Sequence, residues 1–134
     1  MPVTPPVRLS AARKFLLAVA ENDAEGAVAL LSPTCEYRVP GHHALAGTFT
    51  GATEVTGHLV HLFSDATSAF NLIKWEDWLV GDEFVAAVAE IRMQRQHRIF
   101  TERILFLMSF DREARIAAVR VFFDNPDQIE RMLR

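Results

Sequence analysis

The sequence lacks several features that would assign the protein to a particular class. Its one cysteine, Cys35, excludes a disulfide within the chain and an all-thiolate metal site. The net charge of −3, from 14 basic and 17 acidic residues, provides no basic face for nucleic acid. No apolar run approaches the roughly 20 residues that cross a membrane. We therefore expect a soluble, cytoplasmic protein in a reducing compartment, with neither nucleic acid nor membrane as a partner.

The apolar content is sufficient for one hydrophobic core. Half of the 134 residues are hydrophobic and 10 are phenylalanine, which predicts a single domain with large aromatic filling. Met1 to Leu9 contain three prolines and are predicted to form a flexible arm. The folded domain is then expected to cover residues 10–134.

Helical patterns dominate the first half of the chain and strand patterns the second. The predicted helices are Ser10 to Ala20, Ala24 to Leu31 (ended by Pro33) and Ala52 to Ser64, with a short strand from Cys35 to Val39. The predicted strands of the second half are Phe70 to Val80, Phe84 to Gln94, Phe100 to Phe110 and Ile116 to Phe123, followed by a short helix from Asn125-Pro126 to Leu133.

This order of elements predicts an α+β fold. Helices followed by hairpin-linked strands are typical of a curved antiparallel sheet packed on helices, here three helices with a short C-terminal one. A strongly curved sheet would form a cone open at one end. Trp75 and Trp78 are expected to face opposite sides of their strand, since side chains alternate along it.

One face of each long strand is apolar, which predicts a pocket for a hydrophobic small molecule. The predicted lining is Phe15, Tyr37, Val39, Ala89, Ile91, Met93, Ile104, Phe106, Val119, Val121 and Phe123. The opposite face also carries large apolar side chains, which seldom lie in water as a group. Because this outer face includes Phe84, Val88, Leu105, Leu107 and Phe122, we expect a homodimer built sheet against sheet.

The segment from Val39 to Gly51 is the least regular part of the chain outside the ends. Proline and glycine interrupt it repeatedly, so it is predicted to be an ordered loop over the mouth of the pocket. An imidazole titrates near neutral pH, so the adjacent His42 and His43 are candidates for acid-base catalysis. The alternative is a pair of solvent-exposed loop histidines.

Two further side chains on the apolar face carry chemistry. Glu102 is the only charge on the inner face of its strand, where burial would raise its pKa and allow it to act as a general acid. It could equally be a strand-end carboxylate in water or paired with arginine. Tyr37 shares strand parity with Val39 and could polarise a ligand, or be a core aromatic whose hydroxyl bonds to backbone.

The chain resembles the SnoaL-like proteins of the nuclear transport factor 2-like superfamily, which also includes the ketosteroid isomerases. The resemblance covers about Leu9 to Leu133. It rests on Phe15 with Asn22-Asp23, Tyr37-x-Val39-Pro40-Gly41, Leu45-Ala46-Gly47-x-Phe49-x-Gly51, Gly81-Asp82 and Val121-Phe122-Phe123-Asp124. It implies a cone-shaped, cystatin-like fold that hosts enzymes as well as non-catalytic binders.

The resemblance also bears on catalysis. At the three positions where ketosteroid isomerases carry their titratable groups, this chain has Phe15, Phe106 and Val39, so that apparatus is absent. The SnoaL-type polyketide cyclases place a catalytic aspartate at the end of the last strand, which corresponds to Asp124. Asp124 could instead be a carboxylate favoured near the start of the final helix by its dipole.

Two functions remain open at this point. The first is cofactor-free acid-base chemistry such as cyclisation, isomerisation or dehydration of a polyketide-like or terpenoid-like substrate, by Asp124, His42, His43, Glu102 and Tyr37. The second is a non-catalytic module for ligand binding or dimerisation. No metal is expected, since His58 and His61 have helical ligand spacing but no acidic or thiolate partner, and His58 is predicted to lie on the polar side of its helix.

Overall fold

The computed structural model describes residues 4–62 and 69–133, which form four helices and six strands. The helices are α1 Pro5–Ala20, α2 Ala24–Val28, α3 Gly51–Val60 and α4 Pro126–Met132. The strands are β1 Leu31–Val39, β2 Gly47–Thr50, β3 Ala69–Val80, β4 Phe84–Arg95, β5 Arg98–Phe110 and β6 Ile116–Phe123. None of the described helices is long and apolar enough to cross a membrane.

All six strands belong to one sheet with the order β2-β1-β6-β5-β4-β3. The four long strands pair antiparallel, as predicted, whereas β1 lies parallel to β6. Helix α1 packs against β3 and β4, and α3 packs against β1 and β2. The predicted α+β architecture of a curved sheet on three helices, with a short C-terminal helix, is therefore confirmed.

The first helix begins earlier than predicted. Helix α1 starts at Pro5, so the expected arm is wrong for residues 5–9, and Met1 to Val3 lie outside the described residues. A proline is well accommodated in the first helical turn, where its missing N–H would have no partner in any case. The buried Arg8 ties this turn to the β3–β4 connection, because its Nη2 donates to the Gly81 carbonyl at 3.0 Å.

Helix α2 and strand β1 also differ from their predicted bounds. Helix α2 ends at Val28 and β1 already begins at Leu31, so Pro33 lies inside a strand rather than ending a helix. The β1–β6 register shifts between Leu31 and Glu36. A proline is tolerated in such an irregular stretch because it has no N–H to give to the ladder.

The predicted loop from Val39 to Gly51 is partly a strand. Its second half forms β2, which pairs antiparallel with β1 so that Phe49 lies opposite Tyr37. The remaining loop turns at Gly41, whose φ of +111° is accessible to glycine. Helix α4 holds this loop from the other side, since the Ala44 N–H donates to the Leu133 carbonyl at 3.0 Å.

The predicted inner faces of β4 and β5 form the core. Buried side chains alternate along both strands, as the sequence pattern indicates. Strand β3 departs from alternation, because its register shifts between Trp75 and Asp77. The bulge brings Trp75 and Trp78 to the same side, with ring centroids 5.0 Å apart, so the prediction of opposite faces is wrong.

Candidate ligand pocket

A small apolar pocket lies between the sheet and the ends of α1 and α3. We call it the inner pocket. It is lined by Val19, Tyr37, Val39, Leu45, His58, Leu62, Met93, Ile104, Phe106, Val121 and Phe123. Its cavity volume is about 30 Å³, which is room for about two water molecules.

Most of the predicted lining residues reach this pocket, but four do not. Phe15, Ala89, Ile91 and Val119 are fully buried elsewhere in the core. The ring of Phe15 lies 6.5 Å from that of Tyr37, so it supports the pocket from behind. Strand parity predicts which side a residue faces, and it does not predict how far along the strand the cavity extends.

Tyr37 is the one predicted catalytic residue that lines the inner pocket. Its ring packs between those of Phe15 and His58. No hydrogen bond joins its hydroxyl to another described residue. Burial raises the pKa of this phenol well above its ordinary value, so Tyr37 is a neutral donor.

His58 also lines the inner pocket, and the sequence prediction for it was wrong. Its side chain is only 5% exposed, stacked on Phe49 with ring centroids 4.4 Å apart and lying 5.1 Å from the ring of Tyr37. Its Nδ1 is buried and has no hydrogen-bond partner among residues 4–62 and 69–133. The available signal was helical spacing: His58 follows Val55 by three residues and precedes Leu62 by four, and both were predicted to face inward.

The environment of His58 keeps it neutral. Burial, with smaller contributions from His61 and His43, lowers the pKa of its imidazole from 6.5 to about 4. An imidazolium between two aromatic rings would lack the water that stabilises its charge. At neutral pH the inner pocket therefore presents a phenol and a neutral imidazole on otherwise apolar walls.

His43 lies beside the inner pocket and is held on both ring nitrogens. The Leu45 N–H donates to Nδ1 at 3.1 Å, so Nδ1 is the acceptor and Nε2 donates to the Pro40 carbonyl at 2.9 Å. Burial lowers the pKa of this imidazole. The neighbouring His42 is exposed, and its backbone N–H donates to Glu130 Oε1 at 2.8 Å.

Glu102 is buried, as one of its two sequence interpretations expected. It is 5% exposed, and this burial raises its pKa. Its carboxylate accepts the Arg103 N–H at 2.9 Å and the Asn125 N–H at 3.0 Å, so it joins β5 to the start of α4. Glu102 therefore lies at the base of a surface groove and does not line the inner pocket.

Asp124 belongs to the same surface groove. Its side chain is exposed, and its backbone N–H donates to the Arg103 carbonyl at 3.0 Å. We call this the acidic groove, since it is lined by Glu76, Glu90, Thr101, Glu102, Arg103, Asp124, Asn125 and Gln128. Among the predicted acid-base residues, the structure thus brings Glu102 and Asp124 together and keeps both apart from Tyr37.

A second cavity adjoins the inner pocket on the side of α4. We call it the outer cleft, and its volume is about 270 Å³. Its lining is Pro40, Gly41, His43, Phe122, Phe123, Pro126, Ile129 and Glu130. Phe123 lines both cavities, and its ring contacts that of His43 edge-on at 5.9 Å.

Comparison with known proteins identifies the fold. No family model and no curated protein matches the sequence. An NTF2-like protein from Burkholderia xenovorans is 18% identical with a TM-score of 0.84, covering 98% of this chain and 99% of its own. TerC, co-crystallised with polyporic acid, is 16% identical with a TM-score of 0.81, covering 94% and 98% respectively.

A SnoaL-like protein extends the comparison. A putative SnoaL-like polyketide cyclase from Shewanella denitrificans is 10% identical with a TM-score of 0.74, covering 96% of this chain and 99% of its own. At these identities the likeness concerns the fold. The chain therefore has the NTF2-like, cystatin-like fold, and the resemblance found in its sequence is confirmed at that level.

Proposed function

We propose that the inner pocket binds a small, mostly apolar molecule and that the Tyr37 hydroxyl donates a hydrogen bond to an oxygen of that molecule. The carrying observation is His58, whose Nδ1 is buried on an otherwise apolar wall with no hydrogen-bond partner among the described residues, and whose ring centre lies 5.1 Å from that of Tyr37. Buried polar groups are normally paired, so an unpartnered Nδ1 beside a cavity supports a ligand as the missing partner, and the Tyr37 hydroxyl on the same wall is a donor for an oxygen of that ligand.

The chemistry of the walls favours a neutral ligand. Both Tyr37 and His58 are uncharged at neutral pH, and the other lining residues are apolar. A charged group would lose its hydration there without gaining a counter-charge. A ketone, ester, ether or alcohol within a hydrocarbon frame fits these walls best.

The experiment is a titration of neutral ketones and alcohols into the wild type and Tyr37→Phe. Removing only the hydroxyl should weaken binding by roughly two- to tenfold, the net value of one hydrogen bond. Asp124→Asn, in the acidic groove, is the control and should leave affinity unchanged. Equal affinities for wild type and Tyr37→Phe would contradict the proposed role of Tyr37.

A second candidate function is cofactor-free acid-base catalysis in the same pocket, such as cyclisation, isomerisation or dehydration. It is supported by the proximity of Tyr37 and His58, which could polarise a carbonyl and accept a proton. A pKa of about 4 makes His58 a weak base at neutral pH, so binding is better supported than catalysis. If turnover exists, His58→Gln should abolish it, whereas Asp124→Asn and Glu102→Gln should retain it.

We also propose that the protein forms a homodimer through the outer face of the sheet. Leu105 lies opposite Val88 on β4 and Phe122 on β6, which makes the apolar surface continuous across three strands. Phe84 and Phe122 are 45% and 46% exposed. A second copy of the sheet would cover this surface with matching apolar side chains.

A further inference from the structure

We infer that one elongated ligand occupies the inner pocket and the outer cleft together, displaces Phe123 between them, and places a hydrogen-bond donor against Glu130. This inference rests on the proposed function, because it extends the same pocket. The ligand is a neutral chain-like or flat apolar molecule with an oxygen function near each end.

The two cavities differ in polarity and in volume, and a single ligand that filled both would use the polar groups of one and the space of the other. The inner pocket has Tyr37 and the unpartnered Nδ1 of His58 but room for about two waters, whereas the outer cleft has nine times the volume, 270 against 30 Å³. A molecule large enough to bury substantial apolar area cannot fit in the inner pocket alone. The walls of the outer cleft are also largely apolar, with Phe122, Phe123, Pro126 and Ile129 among them.

Phe123 is the side chain that separates the cavities, and it is the movable side of the partition. It is the last residue of β6 and only partly buried, and its ring contact is to His43. His43 on the opposite side is fixed by its hydrogen bonds to Pro40 and Leu45. Rotation of Phe123 gives up this edge-to-face contact and part of its packing against the core, and it joins the two cavities while the loop stays in place.

Glu130 gives the outer cleft its polarity. Its Oε1 accepts the His42 N–H at 2.8 Å, and no ion pair of Glu130 is found among residues 4–62 and 69–133. A carboxylate accepts more than one hydrogen bond, so capacity remains for a donor on the ligand. At the opposite end Tyr37 supplies its own proton, so an oxygen acceptor is sufficient there.

The test is calorimetric titration of α,ω-alkanediols, from butanediol to decanediol, and of their dimethyl ethers. Each added methylene should tighten binding by about fourfold as long as it is buried, and the increase should continue beyond the length that the inner pocket can hold. Long diols should bind roughly two- to tenfold more tightly than their ethers, which cannot donate to Glu130. Glu130→Gln should reduce this preference for diols over ethers when the ligands are long, and should leave it unchanged when they are short.

Variants of Phe123 test the partition itself. Phe123→Ala should tighten long diols by about two- to tenfold, through loss of the ring contact that the ligand must break, and this gain should exceed any change for butanediol. Phe123→Leu, which preserves more of the packing, should act in the same direction to a smaller extent. Phe110→Ala is the matched control: it is also a partly buried strand-end phenylalanine against the core but lines neither cavity, so it should change no affinity.

The outcomes separate this inference from the function on which it rests. If short diols bind and Tyr37→Phe weakens them, but affinity stops rising with length and Glu130→Gln has no effect, the inner pocket is the whole site and this inference is wrong. If no diol binds the wild type at all, this inference and the proposed function are both wrong. The expected result is that the affinity rises with diol length. Phe123→Ala should change this rise, and Phe110→Ala should not.

Discussion

Replacement of His58 by phenylalanine should remove most of the acid sensitivity of the fold. Burial lowers the pKa of His58 from 6.5 to about 4, so between these values the unfolded chain binds a proton that the folded protein does not. Stability therefore falls as the pH drops through this window. By linkage, the loss is about 2 kcal/mol near pH 5 and about 3 kcal/mol below pH 4.

The assay is urea unfolding near pH 7 and near pH 5, followed by the fluorescence of the two tryptophans. The wild type should lose about 2 kcal/mol more than His58→Phe over this interval. His43, whose pKa is also lowered, is present in both proteins and cancels from the difference. His42→Ala removes an exposed histidine and should behave as the wild type. An equal loss in wild type and His58→Phe would refute the buried, neutral state assigned to His58.

Three further predictions concern the core, the outer face and the start of α4. Phe106→Asp should lower the stability of the fold by about 3 kcal/mol or more in thermal melting, since Phe106 is buried and an ionised carboxylate there has no partner; melting within a degree or so of the wild type would contradict its inward position. Leu105→Glu should convert the proposed dimer to monomers in sedimentation at micromolar concentration, and a wild type that is already monomeric would refute the dimer. Glu102→Ala should cost about 1–3 kcal/mol in urea unfolding, because the backbone N–H groups of Arg103 and Asn125 lose their acceptor; an unchanged midpoint would show that this contact is replaceable.

Alternation of side chains allowed the long strands and the inner face of the sheet to be predicted from sequence. Strand β6 has the predicted bounds, and the buried positions of β4 follow the predicted parity. Bulges limited this reasoning, because one register shift reverses parity: Trp75 and Trp78 share a side that simple alternation excludes. The parallel pairing of β1 with β6 is a long-range contact that no local pattern indicates.

The candidate site was predictable only in part, for a different reason. Strand parity with Val39 predicts that Tyr37 faces the pocket, as it does. The polarity of histidine predicts that His58 faces solvent, but its helical spacing favours burial, and it is buried. Glu102 is buried, as one interpretation of its sequence position predicts. Two backbone N–H groups donate to its carboxylate, and these contacts cannot be predicted from the sequence. Whether Asp124, His42, His43 and Glu102 have a catalytic role stays a prediction.

The most direct measurement for the central claim is a crystal structure of the protein with the tightest-binding diol or ketone. The proposed function predicts the ligand in the inner pocket, with one oxygen about 3 Å from the Tyr37 hydroxyl and its hydrocarbon against Phe106 and Val121. A ligand bound only in the acidic groove or on the outer face of the sheet, with the inner pocket still closed around Tyr37 and His58, would contradict it.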